Sequence, residues 1–248
     1  MAHPSICLVV PCRDDAAFLE RCLRSFTTQT APLDGIVVVD NASTDNTAEV
    51  ARRFGAHVVD ERRVGITWAA AAGYDAAAEL GHDIILRTDA DAWADPGFVA
   101  TLRAEWDRRA RSRKRVVGLM GRATFDLPVG GKAASALYVS AYRLTVGSAL
   151  GHAPFFGTDC SFTTSWWREV RDDLDLPDTT SHDDIQLSFA VRPHETVRYA
   201  PALNLRMDSR PLRGAVQLRR RFARGWHSVM RGFGRSAPPR RLVERWTR

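Results

Sequence analysis

Short apolar runs rich in β-branched residues alternate, along the first half of the chain, with stretches whose apolar residues recur at helical spacing. Ser5-Ile6-Cys7-Leu8-Val9-Val10 predicts a buried strand stopped by Pro11, with Cys12-Arg13-Asp14-Asp15 as a polar loop at its carboxyl end. Phe18, Leu19, Cys22, Leu23 and Phe26 predict an amphipathic helix packed on a sheet. Ile36-Val37-Val38-Val39 predicts a second strand. The polar cluster Asp40 to Thr47 then offers N-caps for a helix through Phe54, with Gly55 as its stop. His57–Asp60 predicts a short third strand, and the Ala-rich run Trp68–Leu80 a helix closed by Gly81. Asp83–Thr88 reads as a central strand. Asp95-Pro96, an N-cap followed by proline at the first helical position, opens a helix to about Arg111.

Such strand–helix alternation predicts an α/β fold with a doubly wound, mainly parallel sheet. Past Lys114 the alternation loosens. A strand (Val116–Met120), a helix (Ala133–Leu150), a loop (His152–Gly157), a strand around Ser161-Phe162-Thr163 and an acidic loop (Asp172–Asp178) follow in turn. The sequence divides at 1–113, 114–205 and 206–248, the last part carrying an Arg-rich helix from Gln217 to Arg224.

The central strand ends in Asp89-Ala90-Asp91, and open α/β sheets bind ligands outside the carboxyl ends of their strands. Two carboxylates so close repel unless a proton or cation lies between them. Mg²⁺ or Mn²⁺ suits oxygen ligands and keeps positions for phosphate oxygens. The plainer alternative is a strand-end turn whose aspartates cap backbone N–H groups.

Composition narrows the field. With 248 residues, 45% apolar and 26% charged, the chain reads as an ordinary globular protein with room for a full core. No apolar run approaches the roughly 18–20 residues needed to span a bilayer, and the N-terminus does not read as a secretory signal. Cys7, Cys12, Cys22 and Cys160 lack paired spacing, which predicts reduced, mostly buried thiols and a cytoplasmic setting. The +6 net charge is concentrated in arginines between Arg206 and Arg248. That tail suits phosphates or an anionic membrane surface, or is simply solvated; no nucleic-acid-binding pattern accompanies it.

Several motifs in series then point one way. Pro11-Cys12-Arg13-Asp14, Cys22-Leu23-Arg24-Ser25-Phe26 with Gln29-Thr30, and Val38-Val39-Asp40-Asn41-Ala42-Ser43-Thr44-Asp45-Asn46-Thr47 come first. Asp89-Ala90-Asp91 and Ser181-His182-Asp183-Asp184-Ile185-Gln186-Leu187 follow in the same order. Between about Ile6 and Leu187 the chain resembles a family-2 glycosyltransferase of the GT-A fold. The resemblance implies a nucleotide-sugar-binding half (1–113), an acceptor and catalytic-base half (114–205) and a basic helical tail (206–248). It places Asp91 and Asp89 on Mg²⁺ or Mn²⁺, and Pro11, Arg13, Asp40, Gly65 and Asp89 at the nucleotide-sugar donor. Arg13 is alternatively a surface ion-pair residue. Asp184 becomes the general base, with Asp183 supporting it or positioning the acceptor: a sugar, a lipid-linked alcohol or a small molecule.

Other residues keep two readings. Ser181-x-x-Asp184 also fits a capping box. Ser43 and Asp45 suit helix caps better than ligands. His182 is a base, a metal ligand or a plain loop residue. Trp166 and Trp167 suit a sugar face or a core, and His152–Gly157 a mobile loop over the site. Asp208-Ser209-Arg210 and the tail helix read as a donor clamp or a membrane contact. One departure stands out: Ala70 and Ala71 occupy positions where the family places Arg and Asn. Rival readings are a non-catalytic nucleotide-sugar or anionic-surface binding protein, and a sugar-phosphate nucleotidyltransferase, against which the Gly-free Pro11–Asp15 loop counts.

Overall fold

The computed structural model describes residues 3–108, 112, 114–210, 215–235 and 237–246; of residues 215–218, 220–222 and 246 it describes the backbone. The first half alternates as the sequence predicts. β1 (Ile6–Cys12), α1 (Ala16–Thr27), β2 (Gly35–Asp40), α2 (Thr47–Arg53), β3 (His57–Asp60), α3 (Ile66–Glu79) and β4 (Ile84–Arg87) follow one another. Next come β5 (Ala92–Ala94), α4 (Phe98–Asp107), β6 (Arg115–Phe125), α5 (Gly131–Tyr142) and a π-helical turn (Arg143–Gly147) running into α6 (Ser148–Leu150). β7 (Cys160–Thr163), α7 (Thr164–Val170), α8 (Asp183–Ala190), β8 (Glu195–Met207), α9 (Ala215–Arg235) and α10 (Pro238–Trp246) complete the order.

One eight-stranded sheet runs β3-β2-β1-β4-β7-β6-β8-β5. The four strands β3-β2-β1-β4 are parallel, whereas β7 is antiparallel to both neighbours and β5 is antiparallel to β8. β6 and β8 are parallel again. The fully buried apolar runs of β1 and β4 explain why these strands sit centrally, covered on both faces.

β1 continues through Pro11, which lies opposite Val39, so proline does not stop it as the sequence suggests. The reason is local. Val9 accepts from Thr88 on the β4 side and Cys12 accepts from Asn41 on the β2 side, so Pro11 faces where β4 has already ended. The missing N–H therefore costs no ladder bond. α4 likewise starts at Phe98 with Gly97 as N-cap, and Asp95 contributes its carbonyl to the Phe98 N–H. Residues 109–111, read as the end of that helix, lie outside the described residues. Trp166 and Trp167 are both fully buried. Their indole N–H groups donate to Glu195 (3.0 Å) and Asp75 (2.9 Å), so neither presents a face to a sugar. All four cysteines are free and buried. Among the described residues no helix is long and apolar enough to cross a membrane.

Candidate active site

β1, β2 and β4 are parallel, so their carboxyl ends lie along the same edge of the sheet, and Asp45 fixes the loops after the first two. Its Oδ2 accepts from the Ala16 N–H at the start of α1 (3.1 Å), and its Oδ1 from the Thr47 N–H at the start of α2 (3.0 Å). Ser43 accepts from the Asp14 N–H at 3.1 Å. Both residues tie the loops together, but the N-cap of α2 is Asn46, and Ser43 bonds the loop before α1 rather than capping the following helix. Pro11, Arg13 and Gly65 line a cavity of about 200 Å³ with Cys12, Asn41, Val64, Ile66 and Ala69.

Asn41 shapes this cavity. Its amide donates to the Glu61 and Arg63 carbonyls (both 2.8 Å) and accepts from the Gly65 N–H (2.9 Å), tying β2 to the loop before α3. Gly65 has φ +149°, and a Cβ there would lie 2.6 Å from the Thr179 methyl. Asp40 is not among the described residues lining the cavity; its Oδ1 accepts from the Ser43 N–H at 3.0 Å. Arg13 lies 3.6 Å from Asp14 as a half-exposed ion pair. Ala70 and Ala71 are buried in α3.

Beyond β4 the acidic pair is held by residues distant in sequence. Asp89 Oδ1 accepts from Arg87 at 2.6 Å and Oδ2 from the Thr158 hydroxyl at 2.8 Å. Asp91 lies 3.3 Å from Arg210, which also meets Asp15 at 2.9 Å and stacks 3.6 Å from the Phe18 ring centre. The segment Asp208–Arg210 is thus carried to the Asp91 turn, with β5 and β8 pairing just beyond it. Among the described residues no three His, Cys, Asp or Glu side chains form a cage for an ion. Asp89 and Asp91 are nevertheless hard oxygen donors, and Arg210 shows that positive charge is drawn to Asp91. Two carboxylates with open positions suit Mg²⁺ or Mn²⁺ completed by phosphate oxygens.

Arg87 joins this turn to the start of α8. Its guanidinium, 4% exposed, lies 2.6 Å from Asp89 and 3.2 Å from Asp183, and donates to the Gly157 carbonyl. Burial alone would lower the Arg87 pKa, but the charges of Asp183 and Asp89 carry it well above its ordinary value. Asp183 also accepts from the buried Tyr74 hydroxyl at 3.0 Å. Burial, reinforced by Asp183, raises the Tyr74 pKa.

Asp184 points to the other side of Gly157. Its Oδ2 accepts from the Gly157 N–H at 2.7 Å and its Oδ1 from the Ile185 N–H at 2.8 Å. Each oxygen keeps one lone pair. Burial, and then the charge of Asp183, push the Asp184 carboxyl up to about 7 against the opposing pull of Arg87. The capping box does not form: His182 occupies the N-cap, and the Ser181 hydroxyl donates to Asp178 at 2.7 Å. The His182 N–H donates to Ser228 Oγ at 2.9 Å.

His152 to Gly157 is packed rather than spread over the cleft. Phe155 and Phe156 are buried, the Phe155 N–H donates to Ser188 at 2.8 Å, and Gly157 touches both Arg87 and Asp184. Arg87 and Thr158 are not singled out by the sequence, and Asn41 stands there only as part of the Val38–Thr47 motif. A lone arginine closing an apolar strand is the available signal for the first; the Thr158 contact and the tie that Asn41 makes to the loop before α3 appear only through long-range hydrogen bonds.

Residues 7–112 match the model of glycosyl transferase family 2. An uncharacterized glycosyltransferase of Mycobacterium tuberculosis is 38% identical over 123 residues, which is 48% of this chain and 53% of that protein. The match therefore spans about half the length of that relative. Over a shorter stretch, 58 residues, a 4,4'-diaponeurosporenoate glycosyltransferase of Staphylococcus aureus is 40% identical, covering 23% of this chain and 15% of that one. Among solved structures, the Pyrobaculum calidifontis mannosyltransferase PcManGT, in complex with GDP-Man and Mn²⁺, aligns over 99% of this chain and 70% of its own. Its TM-score is 0.67 at 21% identity. Glucosyl-3-phosphoglycerate synthase from Mycobacterium tuberculosis, with phosphoglyceric acid bound, aligns over 93% of this chain and 80% of its own, with TM-score 0.56 at 19% identity. The chain thus has the GT-A fold, and its residues 7–112 match the glycosyl transferase family 2 model.

Proposed function

We propose that the protein is a metal-dependent, inverting glycosyltransferase moving a sugar from a nucleoside diphosphate to an acceptor hydroxyl. The observation that carries this reading is the Arg87 bridge: Arg87 meets Asp89, Asp183 and the Gly157 carbonyl, while the Thr158 hydroxyl donates to Asp89 and the Gly157 N–H to Asp184. The cavity lined by Pro11, Arg13 and Gly65 takes the nucleoside, leaving the diphosphate toward Asp89 and Asp91. A bound Mg²⁺ or Mn²⁺ would offset the charge that grows on the leaving diphosphate. Two structural neighbours were solved with Mn²⁺ and a nucleotide-sugar or nucleoside diphosphate, which supports a metal and a nucleotide as ligands of this fold.

Asp184 takes the acceptor proton on a carboxylate oxygen. The acceptor oxygen bonds to the anomeric carbon as the carbon–phosphate-oxygen bond breaks and its electrons leave with the diphosphate. Attack opposite the leaving group inverts that carbon. A carboxyl held near 7 suits the task, because a base works best with a pKa close to the working pH. Asp183, bound by Arg87 and Tyr74, holds the start of α8. The four reduced, buried thiols support a cytoplasmic setting. The acceptor class is a sugar, a small molecule or a lipid-borne alcohol.

The test is a panel of nucleotide sugars with and without Mn²⁺. Asp91→Ala should abolish turnover, and Asp184→Asn should keep donor binding while transfer falls by about 10²–10⁴. Full transfer by Asp184→Asn would remove the base assignment. Donor binding without any transfer or hydrolysis by the wild type would favour the non-catalytic binding reading instead.

A further inference from the structure

α9 is built inside out. An amphipathic surface helix ordinarily turns its apolar stripe to the protein and its charges to water. Here the polar side faces the protein. Arg224 donates to the Thr180 carbonyl (3.0 Å), His227 lies 3.0 Å from Asp178, and Arg231 lies 2.6 Å from Asp175. Arg235 reaches the same Asp175 at 3.0 Å, and Ser228 accepts from His182. The orientation is fixed by close packing, since a Cβ at Gly232 would meet the Phe189 ring at 2.3 Å.

The opposite side carries Arg219, Ala223, Trp226, Met230 and Gly234, spaced three and four apart and all exposed. Trp226 is 67% exposed and Met230 39%. Trp226 and Met230 turned outward, on a helix whose Arg224, His227, Arg231 and Arg235 are engaged with the protein, form a surface that suits an apolar phase. The charge around it says which one. From Arg206 to Arg248 there are thirteen arginines and two carboxylates, in a chain whose net charge is only +6. Arg219, exposed on this face, remains for headgroups. Tryptophan beside arginine suits the boundary between headgroups and acyl chains.

We infer that the outer face of α9 docks on an anionic lipid bilayer, with Trp226 and Met230 entering the interface. This inference does not rest on the transferase reading, because its test reads lipid binding and not turnover. The full chain is floated with vesicles of phosphatidylcholine, with or without phosphatidylglycerol. Wild type should float with the phosphatidylglycerol vesicles at low salt, remain below with phosphatidylcholine alone, and be released by high salt. Trp226→Ser with Met230→Ser should weaken flotation at least ~tenfold while the thermal midpoint is unchanged, because both side chains are exposed. Wild type that ignores both vesicles, or a double variant that floats as well as wild type, would overturn the inference. So would a wild-type dimer in sedimentation velocity that the double variant splits, since a second copy would then be the occupant.

Discussion

The two walls of the cleft are made in different ways. The wall proposed to face the donor, called the donor wall, is β3-β2-β1-β4, four parallel strands each followed by its own helix or turn. The opposite wall, β7-β6-β8-β5, mixes directions and takes its functional residues from a buried loop and a helix start. What the contrast teaches is a dependence. The donor wall supplies Asp89 and Asp91, yet the groups that hold them include Thr158 and Arg210 from the second half. In return, Arg87 of the donor wall neutralises Asp183 of the second. Neither wall carries its charges alone.

The largest expected effect comes from cutting that exchange. Arg87→Met leaves Asp183, 5% exposed, with Tyr74 as its remaining polar partner among those described. Removing one member of a buried pair costs about 3–5 kcal/mol, and urea unfolding should read a loss in that range. Arg87→Met combined with Asp183→Leu should recover part of it, because the stranded charge is gone. If the single variant unfolds like wild type, the two walls are not joined through this pair.

Next in size is a pH effect confined to the second wall. The Asp184 carboxyl rises from 3.8 unfolded to about 7 folded. Between those values the native state holds the extra proton, so this group makes stability fall as pH rises from about 4 to about 7. One proton gives a slope of at most about 1.4 kcal/mol per pH unit. Asp184→Asn should flatten the profile across that window in urea titrations. An unchanged slope would assign the proton to another group, and would also weaken the case for a base poised near neutrality.

The same contrast explains what the sequence made legible. Ile6–Val10, Ile36–Val39 and Ile84–Leu86 are local signals: each run is apolar because both its faces are covered, and each ends in polar loop residues. The acidic motifs could be read for the same reason, since each lies where a local element ends. β8 was not read as a strand. Its inward residues Val197, Leu203, Leu205 and Met207 alternate with polar ones near the end, but Pro201 interrupts them, where the β6 partner shifts register between Met120 and Arg122. β5, only Ala92–Ala94, is a strand because β8 lies beside it. Trp166 and Trp167 were ambiguous because burial of adjacent aromatics depends on Glu195 and Asp75, which satisfy their indoles from elsewhere in the chain. Arg87 looked like the tail of a strand. Its role exists only because residues near 157 and 183 fold back upon it.

The smallest effect gives the sharpest measure of coupling between the walls. Thr158 is buried, and its hydroxyl donates to Asp89 Oδ2 at 2.8 Å while its carbonyl accepts from Thr88 at 2.7 Å. Thr158→Val keeps shape and the carbonyl bond but removes a hydroxyl that crosses from the second half to the Asp89 carboxylate. A hydrogen bond to a charged group contributes about 1.5–3 kcal/mol, and solvent at the partly exposed Asp89 reduces the loss toward about 1 kcal/mol. Asp89 keeps Arg87, so the fold should survive and the carboxylate should lose only its aim. Calorimetric titration with a nucleoside diphosphate and Mn²⁺ should show roughly fivefold weaker binding, without a matching drop in unfolding midpoint. Equal losses in both would make Thr158 a packing residue. A loss in binding alone would mean that the second wall reaches across the cleft to orient the donor's metal-side carboxylate.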